Sequence, residues 1–167
     1  MNCWKKTTLG KVAEITSSKR IFAEEYLTEG VPFYRGKEII EKHNGNDVST
    51  ELFISHKKYN EIRDKFSVPQ AGEILLTSVG TLGIPYIVKD DEKFYFKDGN
   101  LTWFKNFDGI ENSYLYYWLI SDLGKEEAMP ARQVNWSKLI SVIMKKLFRF
   151  QLSRVWKLLT WKSFDFI

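Results

Sequence analysis

Apolar residues fall in short runs separated by polar, glycine-bearing segments, and the spacing changes along the chain. Residues 31–35, 73–78, 84–88, 94–97 and 101–105 are brief runs rich in β-branched and aromatic side chains. They predict strands. Asn44-Gly45, Asp90-Asp-Glu92 and Asp98-Gly99 supply turn chemistry between them. Residues 55–66 change to a helical period: Ser55 stands as N-cap, Tyr59, Ile62 and Phe66 share a face, and Pro69 stops the run. A second helix is expected from Asn112 or Ser113 to Leu123, with Gly124 closing its C-terminus. Residues 4–16 combine a turn at Leu9-Gly10 with an alternation at Val12, Ala13 and Ile15, and 17–29 and 43–47 read as loops. Strands grouped in the middle with separate helices predict an α+β class: one domain with a mixed, mainly antiparallel sheet and two or three helices.

Length and composition narrow the picture. At 167 residues, 44% hydrophobic and 16% aromatic, the chain has material for one core and a short appendage. The net charge of +4 is unevenly placed. Residues 137–167 hold Lys138, Lys145, Lys146, Arg149, Arg154, Lys157 and Lys162 against Asp165, a balance of +6, which leaves −2 for residues 1–136. A nucleic-acid surface on the body must therefore be a local patch. The single Cys3, without a CxxC, fits a reducing cytoplasm, and no run approaches the ~20 apolar residues of a membrane span.

Catalytic fingerprints are missing. Neither a phosphate loop nor GxGxxG occurs, no Asn-Pro-Pro-Tyr suggests base methylation, and His43 and His56 lie apart in polar segments that read as solvated. Gly80-Thr-Leu-Gly83 matches a bare GxxG but sits between strands. Asp91-Glu-Lys93 has the acid-x-Lys spacing of a nuclease metal site, although the turn reading accounts for it better. Two rivals stay open on these residues: a small metal-dependent nuclease using Asp91 and Lys93, and a generic α+β protein-interaction domain.

Other segments mix base-reading and phosphate-binding side chains. Thr16-Ser-Ser-Lys-Arg20 offers Lys19 and Arg20. Tyr34-Arg-Gly-Lys37 puts Arg35 and Lys37 either side of a glycine. The connection within Gly72-Glu-Ile-Leu-Leu-Thr-Ser-Val-Gly-Thr-Leu-Gly-Ile-Pro-Tyr-Ile-Val88 carries Thr77, Ser78 and Thr81. Arg132-Gln-Val-Asn135 joins Arg132, Gln133 and Asn135, with Trp136 to anchor them. The structural alternatives are pairing of Lys19 and Arg20 with Glu24 and Glu25, an Arg35–Glu38 bridge, and an ordinary hairpin around Gly80 and Gly83.

The order of segments resembles a target recognition domain of the specificity subunit of type I restriction-modification systems. The matching pieces are Trp4-Lys-Lys-Thr-Thr-Leu-Gly-Lys-Val-Ala-Glu-Ile-Thr16, Gly30-Val-Pro-Phe-Tyr-Arg-Gly-Lys-Glu-Ile39, the 72–88 stretch, Asp98-Gly-Asn-Leu-Thr-Trp103 and Ala128-Met-Pro-Ala-Arg-Gln-Val-Asn-Trp-Ser-Lys-Leu139. The resemblance implies a non-catalytic reader of one half of a bipartite site in double-stranded DNA, working in the cytoplasm. It also implies a modification (methyltransferase) subunit as partner and, through it, a restriction (nuclease and motor) subunit. A homodimer or a second half-subunit would complete the pair of domains. No cofactor is expected in this chain, since methyl donor, ATP and Mg²⁺ would belong to those partners.

The recognition domain is expected over residues 1–139. After it, the family's proline-rich stretch and long helix are not apparent: the four prolines are Pro32, Pro69, Pro85 and Pro130. Residues 140–167 instead carry Phe148, Phe150, Trp156, Trp161, Phe164 and Phe166 among the bases. A reading-frame shift near 140–147, truncating the protein after one domain, is the simplest expectation. A basic amphipathic helix with Ile140, Ile143, Met144, Leu147, Leu152 and Val155 on one face is the alternative.

Overall fold

Every position of Ile74–Thr77 is buried, so this strand is covered on both faces and lies at the centre of the molecule. The computed structural model describes residues 7–128. The expected boundary at 139/140, the tail and Arg132, Gln133 and Asn135 therefore lie outside the described residues. In chain order the elements are α1 (Leu9–Val12), β1 (Glu14–Thr16), a 3-10 turn (Ala23–Glu25), β2 (Val31–Tyr34), α2 (Gly36–His43), β3 (Phe53–Ile54), α3 (His56–Phe66), β4 (Ile74–Thr77), β5 (Pro85–Ile87), β6 (Tyr95–Phe96), β7 (Leu101–Lys105), α4 (Asn112–Ile120) and α5 (Asp122–Ala128).

The α+β class holds, with two sheets. The larger is antiparallel throughout, in the order β1-β7-β4-β5, with Leu75 opposite Trp103 on one side and Tyr86 on the other. The smaller runs β3-β2-β6, antiparallel between β2 and β3 but parallel between β2 and β6, where Phe33 faces Tyr95. The side-chain period of two sorts the core into three groups. Ile74, Leu76 and Phe104 pack outward on α1 and α4 through Leu9, Leu115 and Leu119. Leu75, Leu101 and Trp103 face the other way, meeting Tyr34, Phe96 and Ile39 of β2, β6 and α2. Val31, Phe33, Ile54 and Tyr95 then face Tyr59 and Ile62 of α3. The result is a helix–sheet–sheet–helix stack. Burying each such Phe or Leu is worth roughly 1.5–3 kcal/mol.

The helix at α3 forms as its period suggests, with Ser55 Oγ accepting from Lys58 N–H at 3.1 Å. It stops before Pro69, at Ser67, whose φ of 76° is left-handed; Phe66, expected on the inner face, is exposed. Four local expectations are corrected. The strand expected to reach Arg35 ends at Tyr34, and Arg35 instead starts α2, a helix the apolar pattern did not signal. The helix expected to run to Leu123 ends at Ile120. Ser121 is extended there, and its Oγ receives the Gly124 N–H at 3.1 Å. Gly124 is inside α5 and closes no helix: a Cβ on it would lie 1.8 Å from the Trp118 carbonyl oxygen, so glycine is needed for space. His43 is half-buried, its Nδ1–H donating to the Pro85 carbonyl at 2.7 Å, so it is not a freely solvated residue.

Candidate nucleic-acid interface

Three chain reversals meet at one end of the stack and enclose an open cleft of about 500 Å³. One wall is the start of α2, with Arg35 and Lys37. The second is the β4–β5 connection, with Val79 and Thr81. The third is the β6–β7 turn, with Asn100. Backbone bonds hold the walls together. The Ser78 N–H donates to the Asn100 carbonyl at 2.8 Å, and the Lys97 N–H donates to the Tyr34 carbonyl at 2.9 Å, beside Arg35. Gly83 closes the β4–β5 loop through its N–H to the Thr77 carbonyl at 2.8 Å, with φ of 76°, a conformation that favours glycine.

The cleft gathers Arg35, Lys37 and Thr81 from two distant stretches of sequence. Arg35 forms the bridge to Glu38 noted as an alternative: Nη2 donates to Oε1 at 2.8 Å, and the backbone N–H of Arg35 donates to Oε2 at 2.7 Å. The Glu38 side chain is wholly buried while that of Arg35 is about a third exposed, so the pair holds the guanidinium against the cleft wall and leaves part of it open. Hydrogen bonding to this carboxylate raises the Arg35 pKa above its ordinary value. Lys37 is more than half exposed, with Glu41 at 3.7 Å and the Ser49 carbonyl at 3.4 Å. Thr81 is exposed.

Thr77 and Ser78 are placed otherwise than expected. Thr77 is fully buried, with Oγ1 accepting from the Ile84 N–H at 2.9 Å. Ser78 is 2% exposed, its Oγ 2.7 Å from Thr102 Oγ1 and 3.2 Å from the Leu76 carbonyl. These hydroxyls are spent on the hairpin base, because β4 and β7 are covered on both faces, and they stand apart from any surface.

Lys19 and Arg20 do not pair with Glu24 and Glu25. Arg20 Nε donates to Asp98 at 3.0 Å, and Lys19 lies over the Phe66 ring at 4.8 Å. Glu25 instead accepts from the Phe22 N–H and pairs with Lys58, which holds its pKa below the ordinary carboxylate value. The 17–20 loop is strapped to the same β6–β7 turn that carries Asn100: Ser17 Oγ accepts from the Gly99 N–H and donates to the Leu101 carbonyl. The cationic loop thus adjoins the cleft.

Asn100 was missed from sequence: it follows Asp98-Gly99, where an Asn reads as part of a turn. Glu38, named beforehand as a possible partner of Arg35, lies buried behind the cleft wall. At the nuclease candidate, Asp91 occupies the β5–β6 turn at φ 62° and Lys93 lies 5.2 Å from the Tyr59 ring centroid. Glu92 points inward to Tyr86 and Lys42. Among the described residues no group of three or more His, Cys, Asp or Glu could hold a metal ion, and no helix is long and apolar enough to cross a membrane.

Comparison with known proteins identifies the family of the chain. Residues 1–148 match the family described as the type I restriction modification DNA specificity domain. A type I restriction enzyme specificity subunit of Haemophilus influenzae is 32% identical over 111 residues, which is 65% of this chain and 27% of that one. The HsdS subunit of Thermoanaerobacter tengcongensis has a TM-score of 0.52 at 19% identity, over 81% of this chain and 31% of its own. A chain from a type I restriction-modification assembly gives 0.52 at 16% identity, over 86% of this chain and 37% of that one. This chain thus spans 27% to 37% of the length of these relatives, and the two structures speak to the fold alone.

Proposed function

We propose that this chain, which belongs to the family of type I restriction-modification DNA specificity domains, reads one half of a bipartite sequence in double-stranded DNA without catalysing a reaction on it. In this reading it directs a modification subunit, and through it a restriction subunit, to the site, while methyl donor, ATP and Mg²⁺ serve those partners. The observation that carries the reading is the cleft in which Arg35, Lys37, Thr81 and Asn100 converge from three separate reversals. Those side chains combine base-edge donors and acceptors with phosphate-binding groups on a restrained frame, as direct readout requires. Lys19 and Arg20, on the adjoining loop, would contact phosphates at the edge. Arg132, Gln133 and Asn135 remain candidates from the sequence.

The test is selection of the purified full chain on random duplex DNA, with and without a modification subunit, in the presence of Mg²⁺. The expected result is enrichment of a short half-site, no cleavage, and a shallow salt dependence corresponding to about two to four phosphate contacts, since residues 1–136 carry −2 overall. Cleavage by the chain alone would favour the nuclease reading. Failure to bind any duplex at any salt concentration, with or without the modification subunit, would favour a protein-interaction domain.

A further inference from the structure

We propose that Glu38 is a positioning residue that locks the Arg35 guanidinium into a fork reading the guanine of one G·C pair in the major groove. This deepens the reading of the cleft as the DNA-reading face and rests on it. Both Glu38 oxygens serve one neighbour: Oε2 accepts the Arg35 backbone N–H at 2.7 Å and lies 3.5 Å from Nε, and Oε1 accepts Nη2 at 2.8 Å. The carboxylate thus takes the Nε side of the guanidinium. An arginine has five N–H donors in a fixed plane. Those left over, two on Nη1 and one on Nη2, form the end of the fork, directed away from the carboxylate.

That end offers two parallel donors. Guanine presents two adjacent acceptors, O6 and N7, in the major groove, whereas adenine and cytosine present an exocyclic amino donor and thymine a single acceptor. A guanidinium held on one side therefore selects guanine, while a freely rotating one also satisfies itself on phosphate and carries no sequence information.

The surroundings make the lock rigid. Arg35 directly follows β2, whose last residue, Tyr34, accepts from the Lys97 N–H at 2.9 Å. It also directly precedes the first turn of α2, where Glu38 is 0% exposed. A serine or aspartate at position 35 would cap α2 without burying a carboxylate. The buried Glu38 adds what such a cap lacks, a fixed orientation for the cation above it.

The experiment compares the full chain with Glu38→Gln and Arg35→Lys, using random-duplex selection followed by titration of the selected half-site and its single-base variants. The native chain should discriminate about tenfold or more at one G·C pair. Glu38→Gln keeps the volume and an acceptor for the Arg35 N–H. It should lose most of that discrimination at the same pair, while the preferences at the other positions stay as in the native chain. Arg35→Lys keeps the charge beside Glu38 and should lose the same pair; it carries the test if Glu38→Gln does not fold. A native chain that selects no sequence overturns the cleft reading and this inference together. A native chain with a clear half-site, but variants that keep every preference or weaken all sequences alike, overturns the lock alone.

Discussion

Replacing Thr77 with valine separates a hairpin-forming hydroxyl from a DNA-facing one. Valine has nearly the same shape, so no cavity opens, and what disappears is the acceptor 2.9 Å from the Ile84 N–H. A net hydrogen bond is worth about 1 kcal/mol, rising to about 1–3 kcal/mol when the remaining partner stays dry. Thr77 is 0% exposed and Ile84 half-buried, so the expected cost is about 1–2 kcal/mol. For a chain of this size each kcal/mol lowers Tm by about 2–4 °C, which puts the variant roughly 2–8 °C below the native protein. Ser78→Ala, which strips a buried hydroxyl from Thr102, should fall in the same range, and the two losses need not add, since the residues are adjacent. Thr81→Val should leave Tm within about 1 °C, because Thr81 is exposed, yet weaken binding to the selected half-site by about two- to tenfold. Thermal melts by circular dichroism, paired with titration of half-site duplex well below each melting point, read both quantities. A Thr77→Val protein that melts with the native one but loses DNA binding would refute the reasoning, and the hydroxyl would then belong to the interface.

Three further outcomes test the frame around the cleft. Gly124→Ala should destabilise by about 1–3 kcal/mol or more, read as a lower urea midpoint, because its Cβ would meet the Trp118 carbonyl and force α4 and α5 apart. Gly83→Ala, at φ 76°, should cost about 1 kcal/mol or more by the same measurement; an unchanged midpoint would mean that the loop adjusts freely. Burial, followed by the charges of Glu92 and Glu38, pushes the Tyr34 hydroxyl up to about 12 from an ordinary 10.0. Being raised, this group contributes stability that is whole below pH 10 and lost as pH climbs toward 12, at up to about 1.4 kcal/mol per pH unit. Tyr34→Phe should flatten that part of an alkaline stability curve.

Local chemistry made several elements legible. Ile74–Thr77 and Leu101–Lys105 are short β-branched and aromatic runs between glycine-bearing turns, and α3 repeats its buried residues at Tyr59 and Ile62 behind a serine cap. Helix α2 hid itself. It begins at a glycine, takes its cap from Glu38 reaching back, and confines its apolar face to two adjacent isoleucines, of which Ile39 is fully buried, so eight residues hold no apolar repeat at i, i+3 or i+4. The candidate site was half legible: Arg35, Lys37 and Thr81 have the side chains that DNA contact needs, wherever they come to lie.

The run of residue types along this chain dictates where strands and helices can start, because propensity, capping and apolar period act over a few residues. It also carries the family pattern, because five short pieces keep their order. Which of two nearby threonines faces inward is a different matter. Thr77 and Thr81 sit in the same kind of polar, glycine-flanked segment, and only the register of β4 against β5 and β7 buries one and exposes the other. The cleft arises the same way, since Arg35 meets Asn100 through the parallel pairing of β2 with β6, more than sixty residues apart in the chain. Such contacts depend on the packing of two sheets across a shared core, and no window of neighbouring residues contains that information.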